Sequence, residues 1–347
     1  MLAATFRAHG GPEVVTIEDV APPRVAGPND VVVALRAAAL NHLDLFVLRG
    51  LPGQAPDVPR VIGADGAGTV EAVGPAVTRV KPGDRVLLDP GISCRACAWC
   101  LAGEQSLCTR YQLLGEHRDG TLAEAVCVPE WNVHPVPERV SWREAAAFPL
   151  VHLTAWRMLT TRAAVRPGET VLIWGIGGGV ALAALGIAKL LGAVVIVTSS
   201  SDAKLERARA LGADVALNHA TVDVPKELRR RLGDGGRAVD VVVDSVGAAT
   251  WEHSLRVLGP RGRLVTCGGT SGPRVSTDVR RLFWYHQTIM GSTMGNAREF
   301  AEIMRLLGAG ALRPVVDSVT PLRDTRAALA RLAAGAHFGK LVVEIAA

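Results

Sequence analysis

Tyrosine is almost missing from this chain: there are two in 347 residues, and aromatic residues make up 4% in all. A surface that stacks nucleobases needs aromatic platforms, so none is expected here. An excess of one charge is missing too. The net charge is +5 and the basic residues are scattered, the densest run being Arg229-Arg230-Arg231, after Lys226 and ahead of Asp234. That run reads as the solvated face of a helix, and no nucleic-acid partner is expected. The N-terminus, MLAATFRAHGGPEVVTIEDV, has no charged segment leading into an apolar one. No secretory signal is therefore expected, and the expected location is the cytoplasm. No long hydrophobic run is unbroken. The most apolar stretch, Val171 to Val197, contains Gly175, Gly177, Gly178, Gly179, Gly186, Gly192 and Lys189. The glycines divide it into strand, turn, helix and strand, which argues against a membrane span or a membrane partner. What remains is an ordinary globular balance, 49% hydrophobic and 20% charged, long enough for about two domains.

Cysteine is also sparse, but four of the six sit in one loop, CRACAWCLAGEQSLC. Cys94, Cys97, Cys100 and Cys108 have the spacing C-x2-C-x2-C-x7-C. Four thiolates this close can surround one tetrahedral Zn²⁺ and leave no open position, the form of a structural site. Disulfides are the alternative, and a chain without a secretory signal disfavours them. Cys127 and Cys267 read as small buried residues rather than reactive thiols.

The first half reads as short strands, Val31–Leu35, Gly68–Val73 and Asp84–Leu88, separated by turn signals at 27–30, 74–75 and 81–84. This spacing suggests a compact β barrel or sandwich. Near residue 141 the pattern changes. Ser141 and Glu144 form the sequence of a capping box ahead of Ala145, Ala146 and Ala147. From Val171 onward strands and helices alternate: strands at 171–174, 194–198, 239–244 and 263–267, helices at 180–191 and 204–211. Such alternation implies a parallel sheet covered by helices. The tail holds helical periodicity and a last strand, Lys340–Ile345, that could return to the first domain. The expected organisation is 1–151 with 294–347 returning to it, and 152–293 as the nucleotide domain.

Val171–Trp174 runs into Gly175-Ile176-Gly177-Gly178-Gly179-Val180 and then a helix. Strand, glycine turn and helix N-terminus together make a pyrophosphate cradle. The register is open: counted from Gly175 the sixth position is Val180, and counted from Ile176 the first glycine is lost. The next strand ends in Thr198-Ser199-Ser200-Ser201, where a site for NAD usually carries a carboxylate. Ser199, Ser200 and the nearby Lys204 suit an anionic 2′-phosphate, so NADP(H) is the expected cofactor. The alternative is that Asp202 takes the ribose of NAD and Lys204 is merely solvated.

These features resemble the medium-chain dehydrogenase/reductase superfamily, zinc-type alcohol dehydrogenases and quinone oxidoreductases. The resemblance also rests on Ala39-Leu40-Asn41-His42-Leu43-Asp44, Gly63-Ala64-Asp65-Gly66-Ala67-Gly68, Lys81-Pro82-Gly83-Asp84-Arg85-Val86 and the closing Gly339-Lys340. It implies an α/β chain: a GroES-like β-barrel catalytic domain with a structural-zinc lobe, plus a Rossmann doubly wound parallel sheet. The catalytic zinc of zinc-dependent members is held by Cys, His and Cys with a neighbouring Glu. Here those positions align with Asn41, Ala64, Leu150 and Asp65, so all three usual ligands are absent. The relay hydroxyl aligns with Leu43 and the relay His with Phe46.

Asn41, Asp44 and Arg49 instead resemble the Asn-x-x-Asp-x-x-x-x-Arg pattern of quinone and enone reductases. That implies hydride transfer from NADPH to a quinone or to the C=C of an α,β-unsaturated carbonyl, with no catalytic zinc. Asn41 is the expected donor to a developing enolate, His42 a source of the proton or a pyrophosphate contact, and Asp44 an organiser of the loop or an acid. The alternative is a zinc-dependent alcohol dehydrogenase with His42, Asp65 and His152 as non-standard ligands. The resemblance further implies cofactor contacts at Thr154, Gly247, Gly268, Gly269, Met294 and Lys340. Phe46, Leu51, Trp284 and Tyr285 suggest a small hydrophobic carbonyl or quinone substrate. A homodimer or homotetramer, paired through an edge strand near 287–292, is expected.

Overall fold

The computed structural model describes residues 1–50, 58–232 and 239–345; Leu51, expected to line a pocket, lies outside them. The chain divides into two compact units, Met1–Leu150 with Asn296–Ala347, and Val151–Gly295. Met294 and Gly295 therefore stay with the second unit rather than the returning tail.

The first unit is built from β1 (Leu2–Phe6), β2 (Val15–Asp19), β3 (Asp30–Ala39), β4 (Arg60–Val61), β5 (Asp65–Val73) and β6 (Arg85–Leu88). Then come β7 (Gly91–Ile92), β8 (Gln112–Leu113), β9 (Ala125–Pro129) and β10 (Val133–Pro135). Three helices belong wholly to this part of the chain: α1 (His42–Arg49), α2 (Ala98–Leu101) and α3 (Trp142–Ala147). A fourth, α4 (Pro149–Trp156), leads out of it. Strand β3 is the hub. It pairs antiparallel with β5 and β9, and with β18 (Lys340–Glu344), which in turn pairs in parallel with β17 (Val316–Pro321). Its apolar positions Val31, Val33 and Leu35 are almost fully buried, packed with Phe6, Val70, Leu88 and Leu341. Close packing at the hub requires Gly68, because a Cβ there would lie 2.0 Å from the Ala34 carbonyl oxygen. Ser141 caps α3 through the Glu144 N–H, and Glu144 returns to the Ser141 N–H, so the capping box forms as its sequence predicts.

The second unit contains β11 (Thr170–Ile173), β12 (Val194–Ser199), β13 (Val215–Asn218), β14 (Val239–Asp244), β15 (Leu258–Thr266) and β16 (Thr288–Gly291). They form one six-stranded sheet in the order β13-β12-β11-β14-β15-β16, parallel throughout. The order reverses between β11 and its neighbour β14, which is the switch point of a doubly wound sheet. The helices are α5 (Gly179–Leu190), α6 (Asp202–Ala210), α7 (Val224–Leu232), α8 (Trp251–Val257) and α9 (Val279–Trp284). The basic run lies on α7, where Glu227 pairs with Arg230 and Arg231 on the surface. The return to the first unit is made by α10 (Ala297–Ala309) and α11 (Thr325–Ala333). Among the described residues no helix is long and apolar enough to cross a membrane. Burial pushes the thiols of Cys127 and Cys267 up to about 11 and about 12, which suits packing rather than reactivity.

Candidate functional site

The glycine turn follows β11 directly. Gly175 and Gly177 have φ of +66° and +138°, which side chains rarely adopt. The N–H groups of Gly175 and Ile176 are fixed by the hydroxyl and carbonyl of Thr198 at the end of β12. Gly178 caps α5 without a side chain, and a Cβ placed on it would meet no atom within 4 Å. The first intrahelical bond is Leu182 N–H to the Gly178 carbonyl, so the N–H groups of Gly179, Val180 and Ala181 have no helical partner. Unpaired donors, a helix dipole and open space over Gly178 fit a pyrophosphate. Gly178→Val should therefore weaken dinucleotide binding about 100-fold while costing about 1 kcal/mol or less in stability. Fluorescence titration with NADPH and urea unfolding would check both halves.

Neighbouring loops close around this turn. Asp244 is fully buried at the end of β14, where its carboxylate accepts from the N–H groups of Val246 and Gly247 and the hydroxyls of Thr250 and Ser254. It holds Gly247 against the loop after β15: a Cβ on Gly247 would lie 2.9 Å from the Gly269 Cα. Gly268 and Gly269 belong to that loop. Asp244 was not singled out from sequence, although an acid closing the apolar run Val241-Val242-Val243 was the available signal. Thr154 and Met294 meet each other, hydroxyl to sulfur at 3.8 Å, both buried. At the end of β12 the Ser199 side chain is buried and accepts from the Ser201 N–H. The exposed hydroxyl is that of Ser200. Ser201 caps α6 through the Lys204 N–H, and Asp202 accepts from Asn218.

In the first unit three strand ends converge. Asp65 opens β5 opposite Ala39 of β3, and on the other side of Ala39 lies Val342 of β18. Asn41 is two residues past Ala39, and Lys340 is the first residue of β18. Lys340 is buried, at 3% exposure, and its ammonium donates to Asn41 Oδ1 at 2.5 Å and to Asp65 Oδ2 at 2.9 Å. The ammonium is thus engaged within the barrel unit, whereas the resemblance implies a cofactor contact for Lys340. The carboxamide of Asn41 donates to the Ala39 carbonyl at 3.3 Å and to Asp65 Oδ2 at 2.9 Å. Both of its N–H bonds are thereby used, so Asn41 is not the enolate donor expected from sequence. The second oxygen of Asp65 accepts the Leu150 N–H at 2.9 Å.

Asp44 is buried behind this cluster, its carboxylate accepting the Asn41 N–H at 2.7 Å. It is thus the loop organiser. Burial pushes its pKa up to about 7, the nearby Asp65 charge adding to the rise and the Asn41 N–H and Lys340 charge opposing it. A folded-state pKa raised from 3.8 to about 7 stabilises the fold at low pH. That stabilisation, on the order of 4 kcal/mol, is lost as pH rises between those values. Asp44→Asn should flatten the stability profile between pH 4 and 7, as urea midpoints across that range would measure. His42 is exposed at the start of α1, edge-on to Phe46 at 5.7 Å. The packing around its ring and the charge of Arg49 hold its pKa below the ordinary imidazole value. It is therefore neutral at pH 7 and a poor proton store. His152 is buried on α4. Trp284 and Tyr285 are exposed at the end of α9.

Cys94, Cys97, Cys100 and Cys108 bring their sulfurs within 4.8 Å of one another, and no other group of three or more such ligands occurs among the described residues. Asp65, one of the three residues of the alternative zinc reading, has both carboxylate oxygens engaged by Asn41, Lys340 and the Leu150 N–H. The Cys94 and Cys100 sulfurs are 3.9 Å apart, close to the roughly 3.8 Å edge of a zinc–thiolate tetrahedron with bonds of about 2.3 Å. Backbone N–H donors at Ala96 and Cys97 pull the Cys94 thiol down to about 5, and burial pushes Cys100 up to about 11. The donor set fits one closed Zn²⁺ site.

Comparison with known proteins agrees with this architecture. Residues 27–138 match the alcohol dehydrogenase GroES-like domain, and residues 179–309 match zinc-binding dehydrogenase. A quinone oxidoreductase of Pseudomonas aeruginosa is 33% identical, over 97% of this chain and 98% of its own. A crotonyl-CoA reductase of Streptomyces avermitilis is 31% identical, over 95% of this chain and 81% of its own. The crystal structure of an NAD-dependent alcohol dehydrogenase superposes with a TM-score of 0.95, at 45% identity and full coverage of both chains. Matched along its whole length by such enzymes and built on their barrel, cysteine lobe and glycine turn, the chain belongs to the medium-chain dehydrogenase/reductase superfamily, as a nicotinamide-dependent oxidoreductase with a structural zinc lobe.

Proposed function

We propose that this protein reduces quinones or the C=C of α,β-unsaturated carbonyls with NADPH, in the cytoplasm and without a catalytic zinc. One observation carries the reading: where zinc-dependent relatives place three ligands, this chain has Asn41, Ala64 and Leu150, and both oxygens of the adjacent Asp65 are already bonded. An unactivated alcohol or ketone needs a Lewis acid or a general acid–base group at its oxygen, whereas a conjugated acceptor delocalises the developing charge. Bound NADPH would supply a hydride from nicotinamide C4 to the β-carbon or the quinone ring.

The chain's own part is positioning. The N–H groups of Gly179 and Val180 at the start of α5 hold the pyrophosphate. Ser200 and Lys204 favour the 2′-phosphate of NADPH over the bare ribose of NADH. With Asn41 and Asp44 buried and engaged, and His42 neutral, the proton that completes reduction at the α-carbon comes from water. The acceptor is small and hydrophobic. The quinone oxidoreductase and crotonyl-CoA reductase relatives support this choice of chemistry.

The test is to follow oxidation of NADPH and NADH with a panel of enones and quinones, and reduction of NADP⁺ with alcohols, each with and without chelator. Turnover with NADPH and conjugated acceptors, indifferent to chelator, is the expected result. Alcohol oxidation abolished by chelation would overturn the reading. A second part of the proposal is assembly. Strand β16 ends the sheet, with Phe283 and Trp284 of the preceding helix 62% and 75% exposed, so a homo-oligomer paired along that edge follows. Light scattering should give twice or four times the chain mass.

A further inference from the structure

A lysine at 3% exposure and an aspartate at 0% form a buried ion pair in the barrel unit, beside an asparagine at 5% whose backbone N–H is held by the buried Asp44. Buried charge is costly, so the arrangement around it is informative. The Lys340 ammonium sits at the meeting point of two oxygens, Asn41 Oδ1 at 2.5 Å and Asp65 Oδ2 at 2.9 Å. Each has a reason to point there. Asp65 is anchored through its other oxygen by the Leu150 N–H, and Asn41 is oriented by its two donated bonds to the Ala39 carbonyl and Asp65. A divalent ion bound by these same two oxygens would stand about 2.0–2.2 Å from each. Nζ stands 2.5 and 2.9 Å from those same oxygens, too close to that point for the ammonium and a metal ion to be held there together.

The backbone commits the lysine to this position. Gly339, with φ of +121°, passes so close to Val315 that a Cβ would lie 2.4 Å from its carbonyl oxygen. The Lys340 N–H donates to that same carbonyl, and the next residue, Leu341, accepts the Leu40 N–H. The ammonium is therefore directed into the pocket by the pairing of β18 with β3.

We infer that Lys340 is the resident cation of the Asn41–Asp65 pocket, a positioning residue that orients both side chains and occupies the place of a divalent metal. This rests on the metal-free reading above and adds the residue that enforces it.

The experiment is metal counting with Co²⁺ and Zn²⁺ in excess, with the cobalt absorption spectrum separating thiolate from oxygen ligands. It compares the wild-type protein, Lys340→Arg, Lys340→Ala, and Lys340→Ala with Asp65→Asn. The wild-type protein and Lys340→Arg should hold one ion per chain, with a tetrathiolate spectrum. Lys340→Ala should hold two, the second oxygen-bound, and added Co²⁺ should raise its melting temperature. The double variant should return to one and show no rise. Where Lys340→Ala does not fold alone, refolding it with Co²⁺ should rescue it. A second ion in the wild-type protein that Asp65→Asn removes would overturn the inference. So would Lys340→Ala remaining at one ion, or unrescued, in excess metal. None of these readouts uses turnover, so failure to reduce any enone or quinone would sink the proposed reaction and leave the metal counts to judge Lys340.

Discussion

Lys340→Met should lower the stability of the protein by about 3–5 kcal/mol, among the largest effects of any single substitution outside the apolar core. The methionine fills the volume of the lysine stem, so packing is nearly conserved. What is lost is the cation. Asp65 remains at 0% exposure with only the Asn41 carboxamide and the Leu150 N–H as donors. Lys340→Met combined with Asp65→Asn removes both charges and should recover most of the loss, because a buried pair contributes far less than the damage done by breaking it. Urea unfolding of the four proteins of this cycle gives the coupling directly. A single variant within about 1 kcal/mol of wild type would mean that water reaches Asp65 and that the pocket is not dry.

That cluster also marks the limit of what could be read from the sequence. The second unit was largely legible, since β11, β12 and β14 are apolar runs bounded by glycine or hydroxyl residues, and their alternation with helices dictates a parallel sheet. The expected strand at 239–244 coincides with β14. The glycine turn was legible for the same reason: its signal is local. The four cysteines lie within fifteen residues, so their convergence also needed no tertiary knowledge. Lys340 and Asn41 are 299 positions apart, and nothing near either residue announces the other. A lysine opening a terminal strand reads as exposed, and only the pairing of β18 against β3 turns it inward. The same non-local contact orients the Asn41 carboxamide and removes it from the substrate. Resemblance to relatives located the missing zinc ligands, but it could not say what stands in their place. At the end of β12 the sequence does not show where burial stops: Ser199 is the last of five consecutive buried strand residues and Ser200 lies just beyond the strand, exposed, so of the two serines Ser200 presents its hydroxyl to solvent.

Removing zinc from the cysteine lobe should open residues 94–110 while the barrel stays folded. The lobe has almost no apolar core of its own. Its helix α2 is four residues long, the β7–β8 pair joins only two residues from each strand, and Trp99, Leu101 and Leu107 are 48%, 77% and 50% exposed. Four sulfurs within 4.8 Å cannot all ionise without a cation between them, because like charges at that range repel strongly. Cys94 ionises readily and Cys100 resists, which leaves the empty cluster partly protonated. Its cohesion then falls to N–H···S bonds and to the Gln105 side chain, which bridges the Cys100 carbonyl and the Ala297 N–H. A core this small depends on its metal for folding free energy. A loss of about 3 kcal/mol of local stability should raise proteolytic cleavage in the lobe about 100-fold. Cys100→Ser should reproduce the effect without chelator, whereas Cys127→Ser, on the barrel strand β9, should leave both zinc content and cleavage unchanged. Limited proteolysis with mass mapping of the cut sites, paired with elemental analysis, decides the matter. Cuts confined to 94–110 and released by chelation support a metal-made lobe. Resistance of the zinc-free protein at those residues would mean that the loop is held by its backbone alone, and that zinc is cargo rather than scaffold.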